Sequence, residues 1–354
     1  MADAFYPDYV GFVGTTSTGG SKGIYRIGLS ASSHHIRVLD TRPMYNAGYL
    51  ALSRDKRNLY VLSEGMTFKG YASGGITSYD IRGSSFEELD SAVTGGQRPC
   101  FVCCDDAAGE IYVSNFFNGT LAVFERTSRG GIGRRLAYVS HPQPTGAPMG
   151  PKLHCVVKSP AGRYAASLEL AGSRIFIYDC DDNYRIIWTE EMPKTAGPRH
   201  LTISDDGRFL YVNRQRDSMV SVYAFSPQAE KKLTLLQQIS VRSEDMVGKT
   251  EPAAIRLSSS GRLLAVSNRG MGTRAREDSL ALFTVNQETG LLSLLTIQKT
   301  GGEMPRDFSF TPDGRFLVVG YQFQNYLDVY EITPTGLALV GSSDPIPSPV
   351  CIAF

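Results

Sequence analysis

The sequence lacks the features that define several large protein classes. Its 354 residues include one Trp and five His. They contain no run of about 18 apolar residues, so we expect no membrane span. Lys and Arg number 36 against 35 Asp and Glu, which gives no overall field for binding nucleic acid or an anionic membrane. Any cationic site must therefore be local.

Cysteine is also scarce. The six cysteines are too few for a disulfide scaffold in a chain of this length. The N-terminal MADAFYPDYVGFVG has no basic segment followed by an apolar one, so we expect no secretory signal and a cytoplasmic protein. The Cys-x-x-Cys of CFVCC lies in a predicted strand, where positions three apart face opposite sides. With no second Cys or His pair to match it, we expect no metal.

Sequence motifs for common cofactors and nucleophiles are missing as well. The chain has no Gly-x-Gly-x-x-Gly dinucleotide fingerprint, no Gly-x-x-x-x-Gly-Lys phosphate loop and no Gly-x-Ser-x-Gly elbow in a suitable setting. We therefore expect no cofactor. No capped helical run is long enough to indicate a second domain.

What the chain does contain is a repeat. A short apolar strand, a polar turn and a second apolar strand recur six times, for example in HLTISDDGRFLYVNRQ (200–215) and DFSFTPDGRFLVVGYQ (307–322). The turns carry the residues expected of a tight hairpin. Their central residues recur every 45 to 54 positions, at Lys56, Gly109, Gly162, Gly207, Gly261 and Gly314.

Each copy continues into a third strand and a more polar fourth strand, such as ITSYDI (76–81) and FEELDSAV (86–93). Four antiparallel strands per repeat are typical of a β-propeller. The remaining N-terminal segments and the C-terminal PVCIAF (349–354) complete one further blade. The sequence therefore predicts an all-β, seven-bladed propeller as a single domain over 1–354, with one blade closed by both chain termini.

A propeller brings distant residues together at one mouth of its central channel. The segments that lead into the first strands carry Lys152, His154, Arg199 and Arg306, and the end of one second strand carries Arg269. If these side chains point into the channel, the pocket is cationic within a nearly neutral protein. Arginine suits a carboxylate or phosphate through paired hydrogen bonds, so the expected ligand is a small anion.

Several segments, taken in order, carry a resemblance to a known family. They are NAGYLALS, GGQRPCFV, PKLHC, AGPRHLTIS, PAAIRLS, AVSNRG, TGGEMPRDFSFTPDGRFLVV and PVCIAF. Together they resemble the seven-bladed lactonase family, which includes bacterial 6-phosphogluconolactonases and fungal carboxymuconate-lactonizing enzymes. The resemblance covers nearly the whole chain.

In the cyclase branch of that family, the resemblance implies a site with one His, two Arg and one Glu. The His corresponds to His154, and the two Arg correspond to Arg199 and Arg269. The Glu position is Gln215 in LYVNRQRDSMVSV. A carboxylate can relay a proton and a neutral amide cannot, so the acid–base set departs from the family pattern.

These residues suggest an enzyme that hydrolyses a lactone or forms one in a cycloisomerase-type reaction. His154 is then the general acid/base, Arg199 and Arg269 hold the anion, and Gln215 orients water or the substrate carbonyl. Arg306 is more simply explained as the ion-pair partner of Asp307. Including Arg306, the candidate substrate-binding residues are Lys152, Glu64, Glu169, Asn268 and Arg306.

A non-catalytic propeller that binds a small anion or a protein is the alternative, because propellers serve both uses. The amide at Gln215 favours this alternative, and the joint presence of His154, Arg199 and Arg269 favours the enzyme. In the enzyme reading the partner is a small anionic substrate, and the protein is a monomer or a homodimer.

Overall fold

The regular structure of this protein consists of β-strands throughout the described part of the chain. The computed structural model describes residues 5–146, 148–160, 162–271 and 277–354. Strands β1 to β28 form seven antiparallel sheets of four strands each, which confirms the predicted propeller. Within these ranges no helix is long and apolar enough to cross a membrane.

The four strands of a blade run from the channel to the rim. The innermost strands are β4 (Ala47–Leu52), β8 (Pro99–Asp105), β12 (Leu153–Lys158), β16 (Pro198–Ile203), β20 (Lys249–Leu257), β24 (Pro305–Phe310) and β28 (Pro349–Ala353). The second strands are β5 (Asn58–Ser63), β9 (Glu110–Asn115), β13 (Tyr164–Glu169), β17 (Phe209–Arg214), β21 (Leu263–Met271), β25 (Phe316–Tyr321) and β1 (Tyr9–Thr15).

The outer half of each blade follows the same order. The third strands are β6 (Gly75–Asp80), β10 (Thr120–Arg126), β14 (Arg174–Asp179), β18 (Met219–Phe225), β22 (Ser279–Val285), β26 (Tyr326–Thr333) and β2 (Gly23–Leu29). The outermost strands are β7 (Glu87–Val93), β11 (Ile132–Ser140), β15 (Arg185–Glu191), β19 (Leu233–Ser240), β23 (Leu292–Lys299), β27 (Gly336–Ser342) and β3 (Ile36–Pro43).

Burial follows the position of a strand within its blade. Middle strands such as β5, β13 and β14 are buried along their whole length, because neighbouring blades cover both of their faces. Outermost strands such as β7 and β19 alternate between partly buried and exposed residues. The core therefore lies between blades, as expected when stacked sheets bury apolar side chains on both sides.

The hairpins between first and second strands confirm the predicted turns. Their central residues all have positive φ, and five of them are glycines, which adopt this conformation without steric cost. The exception is Lys56, with φ of 55°. The hairpins gather on one side of the ring, which we call the turn face. The opposite side, where the innermost strands begin, is the mouth face.

Both ends of the chain build one blade, as predicted. The C-terminal β28 pairs antiparallel with the N-terminal β1, with Val13 opposite Ile352 and Gly14 opposite Cys351. Each innermost strand also contacts the innermost strands of its two neighbours, and β28 contacts both β24 and β4. The ring is therefore closed, and its inner strands have no exposed edge.

Candidate active site at the mouth of the channel

All seven innermost strands have a β-bulge near their start, and in four of them the bulged position carries a polar or ionisable side chain. The register skips Cys100 in β8, His154 in β12, Arg199 and His200 in β16, and Arg306 in β24. A bulge bends the strand and re-aims the extra residue. Four separate blades therefore contribute chemically active groups at the same height in the ring.

His154 belongs to a layer of rings that crosses the channel. Its ring lies 5.2 Å from that of His200 and 5.4 Å from that of Phe116, measured between centroids. The His200 ring meets Phe101 at 5.1 Å and Tyr49 at 5.9 Å, and those two aromatic rings stack at 4.5 Å. His154 thus packs against Phe116 and against His200, which itself packs against two stacked aromatic rings.

The surroundings keep both histidines uncharged. His154 is only 8% exposed. Burial, and then the charges of Arg199 and Arg306, hold the pKa of His154 well below its usual value of 6.5. Burial and Arg199 act on His200 in the same direction and lower its pKa. A neutral imidazole is the form that can accept a proton.

Three arginines from three blades surround His154. Arg199 is 4% exposed and donates to the backbone carbonyl of Ala253. Burial, followed by the charges of Arg269 and Arg306, lowers the pKa of Arg199 well below its usual range. Burial and Arg306 lower the pKa of Arg269 to about 10. Because arginines stay charged at neutral pH, the free cluster is a site of positive potential.

Arg306 differs from the other two arginines because it has no protein partner. Among the residues that the structure describes, its guanidinium makes no hydrogen bond or ion pair. The expected ion pair with Asp307 is wrong. Asp307 instead binds Arg256, with Nη2 at 2.8 Å and 3.1 Å from its two carboxylate oxygens. The bulge at Arg306 turns adjacent residues in different directions, which leaves Arg306 to a ligand.

Gln215 is partly buried at the same mouth, and it meets a residue that the sequence reading did not select. Its Nε2 donates to Oε2 of Glu251 at 2.8 Å. The same carboxylate oxygen accepts from Nη2 of Arg269 at 3.4 Å. Glu251 is thus a carboxylate beside the predicted catalytic residues. The available sequence signal was its position directly before Pro252, in the segment that leads into an innermost strand.

Lys152 reaches the mouth but binds backbone. Its Nζ donates to the carbonyl oxygens of Phe117 at 2.9 Å and Met149 at 2.7 Å, and it lies 4.5 Å from the centre of the Phe117 ring. Burial lowers its pKa. These contacts hold the loop beside the ring of Phe116, so Lys152 shapes the wall of the site.

Two of the candidate binding residues are engaged within the blades. Glu169 is fully buried, and its carboxylate accepts from Arg174 at 3.1 Å and from the backbone N–H groups of Lys152 and Gly172. Asn268 donates to the carbonyl of Val241 at 2.8 Å, in the connection from the preceding blade. The structure therefore does not bring their polar groups into the arginine cluster.

Glu64 lies elsewhere on the mouth face. It accepts from Arg98 at 3.4 Å, and both residues line a cleft of about 690 Å³ between blades. Hydroxyl and amide side chains line most of the rest of this cleft, at Thr16, Thr18, Asn46, Gln322, Asn325 and Ser348, together with Gly19 and Phe323. The lining of this cleft does not include His154 or the three arginines around it.

Other reactive side chains do not form a second site at the mouth. Burial raises the pKa of the Cys100 thiol far above its ordinary range, so it is a poor nucleophile. In the described ranges, no group of three or more His, Cys, Asp or Glu side chains is arranged to hold a metal ion. A cleft of about 540 Å³ opens on the turn face, and the rings of Tyr49, Phe101 and His200 form part of its lining.

Fold and site together define a class: a seven-bladed propeller with a buried cationic site at one channel mouth. Residues 10–354 match the family model described as "Lactonase, 7-bladed beta-propeller". The chain belongs to this lactonase family. This confirms the resemblance seen in the sequence.

Named relatives extend over almost the entire chain. A 6-phosphogluconolactonase of Bacillus subtilis is 28% identical over 357 aligned positions, covering 98% of each sequence. The structure of a periplasmic gluconolactonase of Pseudomonas aeruginosa superposes with a TM-score of 0.87 at 28% identity, covering 98% of both chains. A putative 6-phosphogluconolactonase of Bacteroides uniformis gives 0.84 at 27% identity, again covering 98% of both chains.

Proposed function

We propose that this protein hydrolyses the lactone of a sugar acid that carries an anionic group, with a phosphate ester as the preferred anion. The observation that carries the proposal is the convergence of Arg199, Arg269 and Arg306 around His154, with Arg306 making no hydrogen bond or ion pair to the described residues. A partly buried guanidinium with unused donors is a binding group for a carboxylate or phosphate.

The charge of the cluster favours a phosphate. Three guanidinium groups lie near the paired carboxylate of Glu251 and the buried carboxylate of Asp278, so the cluster keeps a net positive charge when the histidines are neutral. A phosphate monoester carries about −1.5 to −2 at pH 7, so it gains more from this charge than a single carboxylate does. The activity named for the Bacillus subtilis relative supports the same substrate class.

His154 is the proton-transfer group in this proposal. As neutral imidazole it takes a proton from water while the water oxygen bonds to the lactone carbonyl carbon. The carbonyl electron pair moves onto its oxygen, where the charge of Arg199 stabilises it. When the pair returns, the bond to the ring oxygen breaks, and His154 gives its proton to that oxygen. The product is the open-chain hydroxy acid.

The low pKa of His154 suits the second half of the reaction. An imidazolium that burial and arginines disfavour gives up its proton readily to the departing alkoxide. A bound phosphate offsets part of the arginine charge and raises the pKa toward neutrality. Arg269 and Arg306 would hold the phosphate, and Gln215 would orient the attacking water.

The two alternatives have less support. The three relatives described above carry lactonase names, one of them as a putative assignment, and none carries the name of a lactone-forming enzyme. The non-catalytic reading depended on the missing carboxylate at Gln215. Glu251 now provides a carboxylate within hydrogen-bond distance of that amide, so the reason for preferring a binding protein is weaker.

The proposal is tested by the hydrolysis of 6-phosphogluconolactone, measured as acid release and corrected for spontaneous opening. We expect kcat to fall about 100-fold or more in His154→Asn. The wild-type kcat/KM should fall only below pH 6.5, because the lowered pKa keeps His154 neutral down to more acidic pH.

The control variant is His35→Asn. His35 is a partly exposed histidine that contacts Asp344 and lies far from the channel. This variant should retain full activity. Undiminished turnover in a folded His154→Asn protein would contradict the role of His154, and a wild type without turnover on any lactone would contradict the proposed function.

A further inference from the structure

Glu251 lies at the site because the innermost strand of its blade begins earlier than the innermost strands of the other blades. In five other blades the residue before the opening Pro or Ala of the innermost strand has positive φ, which turns the chain out of the sheet; these residues are Asn46, Arg98, Gly197, Met304 and Ser348. The β20 strand instead begins three residues before Pro252, at Lys249.

The longer strand creates a cross-strand pair at the site. Lys249, Thr250 and Glu251 lie opposite Met271, Gly270 and Arg269 of the equally extended β21. Directly opposed residues of an antiparallel pair have side chains close together. The extension therefore places a carboxylate next to the guanidinium of Arg269, which also donates through Nε to the backbone carbonyl of Glu251 at 3.2 Å.

The contacts of Glu251 constrain two site residues at once. A carboxylate only accepts hydrogen bonds, so the amide of Gln215 must turn its NH2 group toward it. The carbonyl oxygen of Gln215 is then the end available to accept from water. On Arg269, Glu251 uses the Nε and Nη2 donors, which leaves Nη1 for a ligand.

Glu251 forms an ion pair with Arg269, and Asp278 adds an electrostatic attraction on the same arginine. The second carboxylate oxygen of Glu251 binds Nζ of Lys249 at 3.0 Å, but that lysine side chain is 61% exposed, and such a pair contributes little. The Glu251 side chain is only 14% exposed itself. Its main partners are therefore Gln215 and Arg269.

We propose that Glu251 is the positioning carboxylate of this active site. It orients Gln215 so that the amide oxygen holds the hydrolytic water, and it aims Arg269 at the anionic group of the substrate. This inference rests on the lactone hydrolysis proposed above. The inference requires one carboxylate and one amide that share a hydrogen bond beside the three arginines, whichever of the two positions carries each group.

A swap of the two side chains tests the inference. Glu251→Gln should lower kcat about tenfold, the effect of one lost orienting hydrogen bond. Gln215→Glu should also be slow, because two carboxylates then oppose each other, and its activity should recover at lower pH as the pair shares a proton. The double variant restores one carboxylate and one amide, and its kcat should return to within about threefold of wild type.

A measurement of phosphate binding distinguishes a positioning role of Glu251 from a purely structural one. Glu251→Gln removes a negative charge from the cluster, so inorganic phosphate should bind at least as tightly as to the wild type when measured by calorimetry. The control is Glu230→Gln, which removes an exposed carboxylate on the surface. It should change neither kcat nor the affinity for phosphate.

The outcomes are distinguishable. Wild-type kcat in Glu251→Gln, or a double variant as slow as the slower single variant, would overturn the role of Glu251 while lactone hydrolysis stands. Loss of both kcat and phosphate binding in Glu251→Gln would assign it a structural role and would also overturn the inference. Absence of lactone turnover in the wild type would instead count against the proposed function.

Discussion

At the scale of single residues, Arg306 and Arg256 show how contacts separate binding groups from structural ones. Both are arginines of innermost strands, and both lie near Asp307. Arg256 donates to the Asp307 carboxylate and to the backbone of Phe308 at 2.6 Å. Arg306 has no partner in the described ranges, although it is adjacent to Asp307 in the chain. The unpartnered side chain is the one we assign to the substrate.

Replacement of Arg306 tests that assignment. Arg306→Gln should weaken the binding of 6-phosphogluconate, the expected product, by about 10- to 100-fold, because charge-assisted hydrogen bonds to phosphate are lost. The fold should be little affected, since no hydrogen bond or ion pair of the Arg306 side chain to the described residues is removed. Calorimetry measures the affinity, and Arg262→Gln, an exposed arginine in the hairpin between β20 and β21, serves as the charge-matched control. Equal affinities in all three proteins would remove Arg306 from the site.

The sequence predicted part of this site at the level of residues. His154, Arg199 and Arg269 were placed by resemblance, and the structure brings all three to one mouth. Glu251 was missed because its position depends on how far one strand pair extends. Glu169 and Asn268 were chosen from strand ends, but their hydrogen bonds show that buried polar residues there can serve the blade itself.

At the scale of strands, bulges explain why alternation alone could not predict which side chains face the channel. Regular alternation places neighbouring residues on opposite faces. At the start of β16 the register passes from Pro198 directly to Leu201, so both Arg199 and His200 lie within the irregular segment. Such an irregularity depends on pairing with the second strand, which a single sequence does not show.

An ion pair between the buried Asp307 and the partly exposed Arg256 connects three innermost strands at the seam of the ring. Arg256 of β20 donates to Asp307 of β24, and the Asp307 carboxylate accepts from the backbone N–H of Ile352 in β28 at 2.9 Å. Asp307 is 2% exposed. The pair thus links the C-terminal strand to the two blades that precede it in the chain.

Asp307→Asn should destabilise the protein by about 2 kcal/mol, because it leaves the partly exposed Arg256 without its counter-charge. Thermal and denaturant unfolding measure the change. Asp205→Asn removes an exposed aspartate from a turn-face hairpin and should have little effect. If both variants unfold alike, the seam pair contributes nothing to closure.

At the scale of the whole molecule, the repeat was the most informative sequence feature. It predicted the blade number, the hairpin positions and the closing blade, because each of these follows from strand order and turn chemistry. The overall charge gave no sign of the site. Nearly equal numbers of acidic and basic residues conceal a cluster in which arginines outnumber the paired carboxylate. Closure of the ring brings residues from several separate blades to one mouth of the channel.

The central claim is that this cluster selects an anionic lactone. The most direct measurement is the kcat/KM of the wild-type protein for 6-phosphogluconolactone and for unphosphorylated gluconolactone, compared at pH 7 and low salt. We expect the phosphate ester to be preferred by at least about tenfold, the effect of one charge-assisted contact, with the preference shrinking as salt screens the cluster. Equal rates, or faster hydrolysis of the neutral lactone, would contradict the account.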